Sequence, residues 1–115
     1  MRNFAVGVAL TALAASACAA GNAERGKQKA EQVCAACHAV GGDWSKPLQS
    51  EYPRLAGQHK DYLVTALTAY KQGDQSQIGR KNPIMAGQAA ALSKQEIEDV
   101  AAFLSGMQGP LHVKR

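Results

Sequence analysis

The apolar and polar positions fall into three helical stretches separated by two long irregular ones, after an opening run of a different kind. From Phe4 to Ala20 the chain is Ala-rich and apolar, with Arg2 before it and no further charge until Glu24. Beyond it, Asn22 is a fair N-cap, Glu24 falls in the first turn, and Ala, Lys, Gln and Glu dominate to Val33, which predicts a helix running on into Cys34. A second helix is predicted over Lys60 to Gln72, where Leu63, Ala66, Leu67 and Tyr70 share one face and Gly73 supplies the stop. The third has the clearest boundaries. Ser93 and Glu96 are spaced as a capping box, and Leu92 and Ile97 occupy the two positions of a hydrophobic staple. Ile97, Val100, Ala101 and Leu104 form its stripe, with Phe103 adjoining and Gly106 at its end.

Residues 39–58 are loop by composition, since Gly41, Gly42, Pro47, Pro53 and Gly57 break every period. Residues 73–87 are polar and aperiodic and also read as loop, containing Gly79 through Met85. Gly26 stands inside the first helix at a cost of about 1 kcal/mol relative to Ala, which invites a second helix crossing closely there. No stretch alternates as a strand would and no internal repeat is visible, so the expected fold is all-α.

At 115 residues the chain fits one domain, and a domain of this size buries only about two-thirds of its unfolded surface. Aromatic residues make up 5%, with two Phe and one Trp, which is little with which to fill an interior. A large apolar cofactor would supply the missing volume. The formal charge of +4 is spread over interspersed acids and bases, leaving no nucleic-acid footprint and at most a preference for acidic protein partners.

The opening run, diluted by Gly7, Thr11 and Ser16, is too weak for a membrane span and reads as a cleavable export signal over residues 1–19. Ala17-Cys18-Ala19 offers a small-x-small site with cleavage before Ala20; the alternative is a lipoprotein site at Cys18. Processing leaves a domain over 20–107, an expected disordered tail over 108–115, and two of the three cysteines, with no spare thiol.

Those two cysteines lie in Cys34-Ala35-Ala36-Cys37-His38. On a helix they and His38 sit at i, i+3 and i+4, so two sulfurs and an imidazole emerge from one face. This suits a covalently held haem: each thiol can add to a vinyl group at the porphyrin edge, and the histidine beside the second thiol is carried under the iron. A thioredoxin-type dithiol would want a βαβ context, and a zinc site would need ligands that only His59 and His112 could add. Two further residues fit the haem reading. The Pro53 carbonyl can accept the second ring proton of a ligating histidine, and Met85, following Pro83 in a loop, can be aimed at the far side of a cofactor, although a lone Met is more often packing.

Taken together, the helix into Cys-x-x-Cys-His, the Pro-x-Leu after a loop, the central helix, the Met loop and the C-terminal helix resemble the class I c-type cytochromes over about Gly21 to Met107. Tyr52-Pro53-Arg54-Leu55-Ala56-Gly57-Gln58 and Gly79-Arg80-Lys81-Asn82-Pro83-Ile84-Met85, which departs in spacing from a strict Gly-x-Arg-x-Asn-Pro-x-Met pattern, are similar to one half of the tandem di-haem bacterial cytochromes, here with a single haem motif. The resemblance implies a cytochrome c fold, with three main helices and long loops wrapped around one covalent haem c. It further implies thioether bonds from Cys34 and Cys37, axial ligation by His38 and Met85, Pro53 as carbonyl partner of His38, Leu55 as a haem-packing residue, and Gly26 as the contact for the C-terminal helix around Phe103. The segment Gly73 to Arg80 is longer than the pattern leads one to expect, so Arg80 receives no role.

The implied function is a soluble periplasmic one-electron carrier, monomeric and not an enzyme. It would meet redox partner proteins transiently at a haem edge, with no nucleic acid and no membrane span in the mature protein. The alternative is a cytochrome subunit permanently docked on a dehydrogenase or oxidase; a gas-binding or peroxidatic protein would need Met85 absent or displaceable.

Overall fold

The structure, a computed structural model, describes residues 20–75, 77 and 79–111. The expected export signal over residues 1–19, with Cys18, and residues 112–115 of the expected tail lie outside the described residues. Among those described there are helices and no strands: α1 (Ala23–Val33), α2 (Ala35–His38), α3 (Lys60–Gln72), α4 (Pro83–Ala90) and α5 (Lys94–Ser105), with short 3-10 turns at Val40–Gly42 and Gly73–Gln75. The three main helices stand where the periodicity predicts them. Asn22 caps α1 by accepting the Arg25 N–H, Gly73 ends α3 at φ 52°, and Ser93 and Glu96 form both halves of the capping box on α5. One correction concerns 73–87: its second half is helical. Asn82 caps α4 and Pro83 starts it, so Met85 sits in the first turn of a helix and not in a loop.

Helices α1 and α5 make the most extensive packing in the molecule, and backbone meets backbone there. A Cβ on Gly26 would overlap the Asp99 carbonyl, and one on Gly21 the Glu98 carbonyl. The expected close crossing at Gly26 is therefore present, but one turn earlier on α5 than Phe103, at Asp99 and Val100. This approach lets Asp99, 3% exposed, tie the helices together. Its Oδ1 accepts from Asn22 N (2.7 Å), Gln95 Nε2 (2.9 Å) and Arg25 Nη2 (3.2 Å), and its Oδ2 from Arg25 Nε (2.8 Å). Lys29 to Glu96 (2.8 Å) adds a second, half-exposed pair across the same crossing, and Lys60 to Glu98 (3.2 Å) ties α3 to α5.

The apolar core is small. Ala30, Ala39, Trp44, Ala56, Leu63, Val100, Ala101 and Leu104 form one buried cluster, and Leu104 and Val100 are its largest fully buried side chains. Trp44 meets Phe103 edge-on with ring centroids 5.6 Å apart. After α5 the chain turns back, and a Cβ on Gly109 would come within 2.7 Å of the Ala56 carbonyl.

Hydrogen bonding to Arg25 holds the Asp99 carboxyl down at about 2, below its ordinary 3.8. Because the folded state depresses this pKa, the interaction stabilises fully above about pH 4 and is lost as pH falls toward 2. Asp99→Ala is expected to cost about 2 kcal/mol at pH 7, a figure discounted for the half-exposed Arg25. Denaturant titrations of the two proteins should converge between pH 4 and 2; a deficit independent of pH would show that charge is not what Asp99 contributes.

Candidate haem site

Helix α1 and helix α2 are one helical path bent at Cys34. The Cys34 N–H still bonds to Ala30 O (2.8 Å), and the His38 N–H bonds to Cys34 O (3.0 Å). Cys34, Cys37 and His38 thus keep nearly helical spacing on one turn. Cys34 and Cys37 are half-buried free thiols, and His38 is 7% exposed. Burial, with a smaller contribution from Cys37, pushes the Cys34 thiol up to about 11. A nucleophilic redox dithiol needs the opposite shift, so the dithiol reading loses its chemistry here. Among the described residues, no three His, Cys, Asp or Glu side chains gather as a zinc site requires.

The loop after α2 is built to deliver one carbonyl. Leu48 N bonds to Cys37 O (2.9 Å), the Trp44 carbonyl accepts from both Leu55 N and Ala56 N (3.3 Å each), and Gly57 N bonds to Leu104 O (2.9 Å). Gly57 turns at φ 76°, a conformation that favours glycine. Held at these points, the loop places Pro53 O 3.1 Å from His38 Nδ1. A carbonyl only accepts, so Nδ1 carries the proton and Nε2 keeps its lone pair. Nε2 has no hydrogen-bond partner among the described residues. A buried imidazole with one nitrogen fixed by a backbone carbonyl and the other basic is the donor a metal takes. The Tyr52 ring lies 6.0 Å from the His38 ring, tilted by 43°.

Cys34 and Leu55 both pack on the edge of the buried cluster, and Pro53, two residues before Leu55, is bonded to His38. Met85 stands apart, half-buried on α4, which packs on α3. Met107 is partly buried against the core cluster and is used up in packing. Of these two methionines only Met85 lies outside that cluster. Its backbone N–H donates to Asn82 Oδ1 (3.0 Å), so the cap that starts α4 also fixes the main chain of Met85.

Three contributors were missed in the sequence: Trp44, Asn82 and Asp99. Asn82 was findable, because Asn before Pro is the signature of an N-cap followed by a first helical proline. Trp44 and Asp99 carried no local signal. Arg80, left without a role, stacks on α3, with its guanidinium 5.5 Å from the Tyr62 ring centre and 5.4 Å from that of Tyr70.

Fold and site together define an all-α domain that presents two thiols and an oriented imidazole on one turn, the donor set of a covalently attached haem. Residues 23–108 match the cytochrome c family, and the chain belongs to it; membership implies one covalently bound haem c, and Cys34 and Cys37 are spaced as the Cys-x-x-Cys-His motif. Cytochrome c4 from Stutzerimonas stutzeri is 41% identical over 79% of this chain and 43% of its own length. Cytochrome c-554(548) from Halomonas halodenitrificans is 35% identical over 77% of this chain and 100% of its own. The crystal structure of reduced recombinant cytochrome c4 from Pseudomonas stutzeri matches with a TM-score of 0.67 at 38% identity, over 78% of this chain and 47% of that one. The chain thus spans half or less of the length of the cytochrome c4 proteins it matches, and it resembles, as a single-haem domain, one half of that di-haem protein.

Replacing the cap tests the local frame of Met85. Asn82→Ala is expected to cost about 1 kcal/mol, whereas Asn82→Asp or Asn82→Ser, which keep a capping oxygen, should cost much less. Thermal unfolding of the haem-loaded proteins reads the difference; equal losses for all three would remove the capping role.

Proposed function

We propose that the protein is a periplasmic one-electron carrier in which His38 and Met85 are the two axial ligands of the haem iron. Haem c, when bound, takes up and gives back one electron at its iron. The chain's own residues set the terms. Cys34 and Cys37 anchor the porphyrin edge, so the group cannot dissociate between partners. His38 offers Nε2, and the observation that carries the reading is its Nδ1 held 3.1 Å from Pro53 O, which fixes the tautomer and orients the ring so that Nε2 keeps its lone pair for the iron. Met85 offers a neutral thioether, which favours the ferrous state, and Leu55 lines the pocket and keeps it apolar, which disfavours the additional charge of the ferric state. With both residues as ligands the iron would have no open position for oxygen or a substrate, which favours transfer over catalysis as the role.

The leader over 1–19 fits export with cleavage before Ala20, or anchoring at Cys18 as the lesser alternative. The domain is then 20–107 followed by the tail 108–115. Among the described residues no helix is long and apolar enough to cross a membrane. Partner contact is expected to be small, below about 1,200 Å² in total, so that release keeps pace with turnover; permanent docking on a dehydrogenase or oxidase would instead show as copurification in a stable complex.

The ligand assignment has a direct optical test. The oxidised protein should show the weak far-red sulfur-to-iron band, Met85→Ala should abolish it, and Met107→Ala should leave it in place. A band that survives Met85→Ala would remove Met85 from the iron.

A further inference from the structure

Helix α4 is weakly embedded. Ala89 is its one buried residue, and Ile84, beside Met85, is 61% exposed. Apolar packing alone gives such a helix little reason to keep one rotation and one height against α3. Two cations make contacts there, one at each end. Ahead of α4, Arg80 N donates to Ala69 O (3.0 Å), its guanidinium lies over Tyr62 and Tyr70, and its Nη2 is 3.4 Å from the Tyr62 hydroxyl. At the far end, Lys71 on the last turn of α3 donates its ammonium to the carbonyls of Ala90 (3.0 Å) and Leu92. Ala90 is the last residue of α4, where carbonyls lack helical partners and the helix dipole is negative, so an ammonium is the fitting cap. Neither cation is among the carboxylate ion pairs of the described residues.

We infer that Lys71 and Arg80 are positioning residues for Met85, clamping the two ends of α4 onto α3 so that the thioether is held at the iron. This rests on Met85 being the axial ligand. Asn82 fixes the Met85 backbone within α4, but it cannot fix α4 within the molecule; the two cations do. The clamps are separable, because Lys71 acts through backbone carbonyls alone while Arg80 acts through two aromatic faces and a hydroxyl. Removing either should loosen α4 and leave the α1–α5 crossing untouched, since neither residue contributes to the Asp99 network.

The test uses the haem-loaded ferric protein and imidazole as a competitor for the methionine position, read by loss of the sulfur-to-iron band. Lys71→Met and Arg80→Leu should each raise the apparent imidazole affinity about tenfold, the change expected for one lost charged contact. Amide hydrogen exchange over Ala86 to Ala90 should accelerate by a similar factor, with the α1 and α5 amides unchanged. Lys71→Arg, which keeps charge and donors, should restore both readings. Wild-type imidazole affinity and wild-type α4 exchange in both variants would overturn the clamp, as would equal acceleration in α1 and α5, which is general destabilisation. Met85→Ala run alongside separates the two claims. A band persisting there defeats the ligand assignment itself, whereas a band lost there but unmoved by imidazole in the clamp variants defeats only the clamp.

Discussion

The closest approach of α1 and α5 is the constraint on which the rest of the molecule depends. Two glycines on the α1 side, Gly21 and Gly26, allow its backbone to touch that of α5 at Glu98 and Asp99. A thin core of alanines and a few aliphatic residues could not hold two helices apart at a larger distance without leaving voids, and voids are costly. Close contact solves the packing problem with little side-chain volume. It also buries Asp99, three of whose hydrogen bonds, from Asn22 and Arg25, join the start of α1 to the middle of α5, while Gln95 steadies its carboxylate from within α5. Position and orientation of α1 are thereby set, and α1 leads through Cys34 directly into the turn that carries Cys37 and His38.

From that turn outward the molecule is a series of delivered groups. Apart from the 3-10 turn at Val40–Gly42 the loop from Ala39 to His59 is irregular, yet it is pinned at Cys37, Trp44 and Leu104, and its product is the Pro53 carbonyl at His38 Nδ1. The same logic governs α4, a helix with one buried residue that presents Met85 from a capped first turn. Neither side is held by a large core of its own. A covalent haem between them would provide the apolar volume that a chain with two Phe and one Trp does not contain. Cofactor and fold are in this sense complementary, the protein supplying orientation and the porphyrin supplying bulk.

Much of this was legible before any coordinates, and the reasons are physical. Caps and periodicity mark α1, α3 and α5 because Asn22, Gly73, Ser93 and Glu96 act within a few residues of themselves. Cys34, Cys37 and His38 were legible as a set because their chemistry is fixed by spacing on one turn. Pro53 was legible only as a carbonyl in want of a histidine, and the 3.1 Å contact depends on Trp44 and Leu104, which are distant in sequence. Helix α4 was read as loop because its eight residues include Gly87 and Pro83 and it has hardly any buried face to impose a period. The Gly26 contact was anticipated but set one turn away, since sequence shows that a helix crosses and not at which residue it does so. Lys71 carries no local signature and Arg80 stands in the Met85 pattern without a legible role, because what they bond is backbone and rings brought near by tertiary structure.

The central claim is that this chain wraps one covalent haem, and the intact mass of the protein secreted by cells competent for haem attachment tests it most directly. The account predicts the mass of the chain cleaved before Ala20 plus one haem, together with the sharp visible bands of a low-spin haem c on reduction. A secreted protein with the mass of the bare polypeptide and no visible absorption would contradict it.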